Sequence, residues 1–239
     1  MLRDRHIKLP LVALLLIPSL VGCELVSKPS KRSATNTEHP PPTVVTSQSV
    51  QKLEQRYADL KPLNHANISS AAELDQENRR LLAALQTRGT LTSQEEDLKG
   101  RLALLMAKRG SQNFEELMKL KPTGRWFNAS ELDRAGHRAA FIILQHGDIS
   151  KVLDLVPDIK TAAENGLLSK QQYALFADRV AVVKGEPQEF GSQATCVNGE
   201  PVFPPVRDPA RVNQRRKEIG MSKSLEEYQR ELIDLKMCR

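Results

Sequence analysis

The stretch ADRVAVVKGEPQEFGSQ, residues 177–193, runs from the end of a predicted helix into a loop with glycines near both ends. Asp178 and Arg179 lie side by side in an otherwise largely apolar helical run. Neighbouring helix positions do not face each other, so these two side chains cannot simply pair together. An unpaired buried charge costs about 3–5 kcal/mol, so each side chain needs its own partner. The nearby candidates are Asp148 and Glu186 for Arg179, and Arg207, Arg211, Arg215 or Arg216 for Asp178.

Two interpretations of these charges follow. In the first, they form a buried ion-pair network that holds the helix to the segments after it. In the second, the same groups bind a ligand or take part in catalysis.

The chain outside this stretch is predicted to be mainly helical. Residues 48–122 carry apolar stripes at helical spacing, interrupted at Gly89 and Gly110 and ending before Pro122. The polarity of residues 73–80 argues against a large core in this amphipathic helical region.

Residues 123–239 are predicted to form a compact helical domain. The run 139–144 is apolar on every side, which is typical of a buried central helix. Asn198-Gly199, between two short strand patterns, supplies the positive φ angles of a type I′ hairpin turn. The predicted fold class is therefore mainly α with one small β-hairpin (α+β), with amphipathic helices preceding the compact domain.

The N-terminus indicates export and lipidation. Its basic residues precede an apolar stretch that is too short for a membrane-spanning helix and is typical of a signal peptide over residues 1–22. Leu20-Val21-Gly22-Cys23 resembles the lipobox of bacterial lipoproteins, in which the cysteine receives lipid. The alternative is an ordinary secretory signal with a chance cysteine. By resemblance to that class, Glu24 after the cysteine favours the periplasmic face of the outer membrane.

Residues 23–47 are rich in Ser, Thr, Pro and charge, which predicts a disordered tether. Cys196 and Cys238 then remain, and in an oxidising periplasm they are expected to form one disulfide. Two free buried thiols are the alternative.

The charge balance argues against a nucleic-acid partner. Loss of residues 1–22 removes three basic side chains and one acidic one, so the formal charge falls from +6 to +4. The remaining basic residues are interleaved with acidic ones instead of forming a concentrated patch. The cluster Arg207 to Lys217 is best interpreted as a solvated, salt-bridged face.

Gln145-His146-Gly147-Asp148 forms a second polar group at the end of the predicted buried helix. The helix dipole there favours a protonated His146, as a capping residue or as an acid–base group. His137 lies on the opposite side of that helix, so the two histidines cannot bind one metal ion. No metal site and no cofactor are predicted.

These motifs, together with Trp126, the loop 185–193 and Asn213 to Gly220, resemble the bacterial family catalogued as domain of unknown function 6624. The resemblance covers residues 124–222 and departs from the family pattern at Phe190 and Ser192, where Tyr and Thr are usual. It implies a shared polar pocket built from Gln145, His146, Asp148, Asp178, Arg179, Gln188, Gln193 and Arg216. It implies no activity.

The sequence thus predicts an outer-membrane-anchored periplasmic lipoprotein that acts as a binding or protein-interaction module, with an envelope protein as a possible partner. The alternative is an envelope hydrolase or transferase that uses His146 as general base, Asp148 or Asp178 as its orienting carboxylate, and Arg179 as an anion-binding group. A third possibility is a structural lipoprotein that docks into a larger assembly through its N-terminal helices.

Overall fold

The structure, a computed structural model, describes residues 44–235 and 237–238. The predicted signal peptide, Cys23 and most of the predicted tether lie outside the described residues. The elements, in chain order, are α1 (Ser47–Asp59), α2 (Ile68–Gln86), α3 (Ser93–Leu120), α4 (Arg134–Gln145), α5 (Val156–Glu164), α6 (Lys170–Lys184), β1 (Thr195–Val197), β2 (Glu200–Val202), α7 (Val212–Glu218) and α8 (Leu225–Asp234). The mainly α fold with one small β-hairpin is confirmed.

The described residues divide into two compact units, residues 44–176 and the residues from 177 onward. The division falls within α6. The predicted domain boundary at residue 122 falls inside the first unit, because α2 and α3 both pack against α4. No helix among the described residues is both long enough and apolar enough to cross a membrane.

The first unit has a hydrophobic core in the region where the polarity of residues 73–80 argued against one. The apolar stripes of α1, α2 and α3 face one another and, with Val45 just before α1, supply its buried members, Val50, Leu53, Tyr57, Leu74, Leu81, Leu82, Leu85, Leu98 and Leu102. Capping boxes at Thr46 and Thr92 fix where α1 and α3 begin. The polar residues of 73–80 that point inward are therefore part of a packed interior.

Helix α3 continues through Gly110, where the sequence predicted a break. A glycine in a helix interior costs only about 1 kcal/mol relative to alanine. The next turns bury Asn113, Phe114 and Leu117, and this packing offsets that cost. The prediction of two separate helices was wrong because it weighed a local propensity without the tertiary contacts.

The second unit contains the hairpin and the C-terminal helices. Strands β1 and β2 are antiparallel, and the turn residues Asn198 and Gly199 have φ values of 53° and 82°. Both are in the left-handed region that the predicted Asn-Gly turn requires. The predicted disulfide is confirmed, since Cys196 in β1 is bonded to Cys238 near the C-terminus.

Candidate functional site

The Asp178 side chain is fully buried and holds the loop 185–193 by its backbone. Its Oδ1 accepts the N–H groups of Glu189 (2.8 Å) and Phe190 (3.0 Å). Its Oδ2 accepts the N–H of Ser192 (2.8 Å). Main-chain amides, instead of a cation, therefore satisfy this buried carboxylate.

Two opposing effects act on the pKa of Asp178. Burial raises the pKa because it removes the charged form from water, and the backbone N–H groups of the loop lower it. Burial is the larger effect, so the pKa of Asp178 lies above its ordinary value.

Two glutamines, Gln188 and Gln193, also hold the loop 185–193 in place. Gln188 donates through Nε2 to the Gln193 carbonyl (3.0 Å), and its Oε1 accepts the Gln193 N–H (2.8 Å). The Gln193 side chain accepts from Arg179 Nε (3.1 Å) and donates to Ser192 Oγ (3.0 Å). The Ser192 hydroxyl is thus one of the groups that fix the loop.

Arg216 in α7 binds the same loop through carbonyl groups. Its Nη1 donates to the Phe190 carbonyl (2.9 Å) and its Nε to the Lys223 carbonyl (2.8 Å). The guanidinium also lies over the Tyr228 ring, 5.4 Å from its centroid. The loop is therefore held at its N–H groups by Asp178 and at a carbonyl by Arg216.

The predicted ion pair between Asp178 and an arginine is wrong. Among the described residues, none of the four candidate arginines is within ion-pair distance of its carboxylate. Arg216 binds carbonyls, Arg207 and Arg215 lie 3.4 and 3.3 Å from Glu189, and Arg211 lies 3.1 Å from Asp208. The sequence favoured charge pairing because it does not show which backbone amides a loop turns inward.

The loop conformation itself depends on a glycine. Gly191 has a φ of 62°, and a Cβ there would lie 2.7 Å from Leu225 Cδ1. A side chain at this position would therefore be strained both by its backbone conformation and by its contact with α8.

A second polar cluster lies in the first unit, around His146. The His146 side chain is only 4% exposed, and its Nδ1 lies 2.6 Å from Oδ2 of Asp75 in α2. Because the carboxylate can only accept, Nδ1 carries the proton and donates. Gln145 Nε2 lies 3.4 Å from the other ring nitrogen. In the neutral ring, Nε2 then accepts from this amide.

Arg79 binds the same carboxylate side-on. Its Nε donates to Oδ2 of Asp75 (2.9 Å) and its Nη2 to Oδ1 (3.2 Å), and both side chains are nearly buried. Burial alone would raise the pKa of Asp75. The His146 hydrogen bond and the charges of His146 and Arg79 outweigh burial and lower this pKa to about 2.

The cluster continues into α1 and α3. Asn78 is fully buried, and with its amide turned for best pairing it donates to the Leu102 carbonyl and accepts the Met106 N–H. Burial raises the pKa of the Tyr57 hydroxyl above its usual range, and the Asp75 charge acts in the same direction. Tyr57 of α1 and Asn78 of α2 are therefore buried polar neighbours of Asp75.

The orienting carboxylate for His146 is Asp75, whereas the sequence pointed to Asp148 or Asp178. Asp148 is half exposed, accepts from Ser150 Oγ (2.5 Å) and lies 3.8 Å from Lys151 Nζ. It caps the short 3-10 turn after α4.

The predicted pocket residues thus fall into two groups. In the second unit, Asp178, Arg179, Gln188, Gln193 and Arg216 meet on one loop. In the first unit, Gln145 and His146 stay together while Asp148 faces solvent.

Sequence reasoning missed Asp75, Asn78 and Arg79. One sequence signal could have identified them. The i,i+4 pair Asp75 and Arg79, with Asn78 between them, lies on the helix face that also carries the apolar residues Leu74, Leu81 and Leu82. The partner of Asp75 is 71 residues away, and no local pattern encodes that distance.

Trp126 and His137 form a separate structural pair. The Trp126 indole only donates, and its Nε1 lies 3.2 Å from His137 Nδ1. His137 Nε2 then donates to the Asn128 carbonyl (3.3 Å). Since Nδ1 accepts from the indole, the ring is neutral, and burial lowers the pKa of His137 in the same direction. Within the described residues, no group of three or more His, Cys, Asp or Glu side chains could hold a metal ion.

A family model described as "Family of unknown function (DUF6624)" matches residues 73–237. The matched region begins just before Asp75, so it contains both polar clusters. No curated protein and no solved structure is significantly similar to the chain.

Proposed function

We propose that this chain, which belongs to that family of unknown function, acts as a lipid-anchored binding or protein-interaction module of the bacterial cell envelope. Cys23 carries the lipid, and the globular part works at the periplasmic face of the outer membrane. A small molecule or an envelope protein is the partner.

One observation carries the binding role. Asp178 and Arg216 fix the main chain of loop 185–193 from two directions, through N–H groups and through a carbonyl. Residues 185–187 at the start of this loop are exposed. A loop that is ordered before it meets a partner loses little conformational entropy on binding.

The disulfide supports an oxidising compartment. Cys196 and Cys238 are bonded, and structural disulfides are typical of exported proteins and rare in the cytosol. This agrees with the signal-peptide pattern and the Cys23 lipobox.

Fractionation of cells that express the full chain tests the anchor. We expect the wild-type chain to incorporate labelled palmitate and to sediment with outer membranes, and Cys23→Ser to lose both properties. A Cys23→Ser chain that still fractionates with membranes would contradict lipid anchoring at this residue.

A thermal-shift screen tests the binding role. The Cys23→Ser chain is heated with a panel of envelope metabolites, since a ligand that binds only the folded state raises the melting temperature. The matched variant Glu186→Lys alters the exposed part of the loop without touching its internal hydrogen bonds. A compound that stabilises the parent chain more than this variant supports the role, and equal shifts would place binding elsewhere.

A second candidate function is an envelope hydrolase or transferase, which the 2.6 Å contact between His146 and Asp75 favours. Asp75 fixes the Nδ1–H tautomer, and Nε2 is then the basic atom that would take a proton from a nucleophile. The sequence assigned the orienting role to Asp148 or Asp178 and anion binding to Arg179.

Turnover of a chromogenic ester panel tests this candidate. We expect His146→Gln to lose about 100-fold or more of any activity, with Arg101→Gln as an unaffected control on the surface of α3. Activity that survives in His146→Gln would remove this histidine from the mechanism.

A further inference from the structure

Arg79 has hydrogen-bond donors that no protein acceptor uses. Its side chain is 7% exposed, and Nε and Nη2 both donate to Asp75. Within the part of the chain that the structure describes, Nη1 has no acceptor. A buried donor without a partner forfeits the hydrogen bonds it would make with water, so such groups are rare in folded proteins.

Nη1 of Arg79 is nevertheless accessible. Among the described residues, Glu231 Oε2 is the one fully shielded side-chain nitrogen or oxygen without a partner. Nη1 lacks a partner but is not in this fully shielded class. It therefore keeps some contact with solvent.

The surroundings of Arg79 suit an anion. Asp75 receives the Arg79 guanidinium and the His146 ring on the same oxygen, Oδ2, at 2.9 and 2.6 Å. The Asp75 charge is thus already offset by Arg79, and it does not leave an unpaired negative charge to repel an anionic ligand. The side-on pairing also fixes the plane of the guanidinium, which pre-organises its remaining donors.

We propose that Arg79, held by Asp75 beside His146, forms a binding site for an anionic oxygen group, a carboxylate or a phosphate, of a small ligand. Nη1 is the principal donor, because charge-assisted bonds from arginine to carboxylate and phosphate are among the strongest hydrogen bonds in proteins. This anion site lies in the first unit and goes beyond the binding role proposed for loop 185–193, which belongs to the second unit.

Side-chain NMR of the full Cys23→Ser chain is the test. The ¹⁵N-labelled protein is titrated with sodium phosphate and, separately, with sodium acetate, against sodium chloride at equal ionic strength. The Nε–H signal of Arg79 is assigned by its loss in Arg79→Lys. We expect this signal to shift saturably with at least one of the two anions and not with chloride. The anion that saturates at lower concentration identifies phosphate or carboxylate as the preferred group.

A double variant avoids leaving an unpaired buried charge. Asp75→Asn with Arg79→Gln removes both charges together. We expect this double variant to bind the anion at least about tenfold more weakly than the parent chain. Arg101→Gln is the matched control, since Arg101 makes the same two-point contact with Glu54 (3.0 and 2.6 Å) but is 37% exposed. The control should bind the anion like the parent chain.

Two results would overturn the site. One is the absence of saturable binding of either anion by the parent chain, in which case water alone occupies the space beside Nη1. The other is equal affinity in the parent chain and the double variant. A compound from the envelope panel that stabilises both of these proteins equally binds outside this site, so the anion site and the binding role proposed for loop 185–193 can fail separately.

Discussion

The Asp178 carboxylate accepts three backbone N–H groups, so its replacement can separate the effect of charge from that of hydrogen bonding. We expect Asp178→Asn to destabilise the protein by about 1–3 kcal/mol, although it removes a buried charge. The asparagine amide nitrogen would face a main-chain N–H, and one loop donor would lose its acceptor. Urea unfolding measures the change.

Asp148→Asn is the matched control for that substitution. Asp148 is half exposed and bonds to Ser150 and Lys151, so its amide variant should lose less than about 1 kcal/mol. Equal stability of Asp178→Asn and the parent chain would mean that the loop does not depend on this carboxylate.

Asp75 makes the stability depend on pH in acid. Its pKa is about 2 in the folded protein against an ordinary 3.8, so the ionised form is favoured by folding. This stabilisation, about 2 kcal/mol, is fully present above pH 4 and is lost as the pH falls through 2. The contribution of Asp178 to stability changes with pH in the opposite direction, because its raised pKa favours the folded state at low pH.

The difference between the parent chain and Asp75→Asn isolates the Asp75 effect. Urea unfolding of both proteins from pH 6 to pH 2 should show a stability gap that narrows below pH 4. A constant gap would show that the cost of the substitution comes from packing and not from ionisation.

Among the secondary-structure elements, α3 contains a glycine, Gly110, whose replacement tests whether packing lets the helix continue through it. Gly110 lies in the helix interior, and a Cβ there would meet nothing within 4 Å. We therefore expect Gly110→Ala to stabilise the protein by about 0.5–1 kcal/mol. At Gly147 a Cβ would lie 1.8 Å from the Phe114 ring, so Gly147→Ala should destabilise by about 1–3 kcal/mol. Thermal unfolding compares the two, and the same sign for both would contradict the packing described for α3.

The disulfide connects β1 to the end of the chain beyond α8. Reduction, or Cys196→Ser with Cys238→Ser, should cost about 4 kcal/mol, because the unfolded chain gains the entropy of an opened loop. Urea unfolding with and without reductant measures this cost. An unchanged midpoint would mean that the C-terminal segment contributes nothing to the stability that unfolding reports.

Most elements could be predicted from the sequence because their signals are local. Apolar spacing, the caps at Thr92 and Ser224 and the Asn198-Gly199 turn each act within a few residues. The helix break at Gly110 failed because long-range packing overrode a local preference.

The candidate site could be predicted only in part. The residues that meet on loop 185–193 lie close together in sequence, except Arg216, and the family resemblance already grouped them. The contact between Asp75 and His146 spans 71 residues and depends on how α2 packs against α4. No pattern within either segment specifies such a pairing.

For the whole molecule, the two polar clusters have different roles in this account. The Asp178 cluster shapes the loop 185–193 in the second unit. The Asp75 cluster in the first unit holds the Arg79 guanidinium, whose Nη1 is left to bind an anion. Anion binding is therefore expected to depend on the Asp75 cluster, the binding role proposed for loop 185–193 on the Asp178 cluster, and stability on both.

The most direct test is the rise in melting temperature of the Cys23→Ser chain caused by whichever of phosphate and acetate it binds, measured with Asp178→Asn and with the double variant Asp75→Asn/Arg79→Gln. We predict that Asp178→Asn melts at a lower temperature but keeps the anion-dependent rise, and that the double variant loses the rise. A rise that persists in the double variant and disappears in Asp178→Asn would reverse the roles of the two clusters and contradict the account.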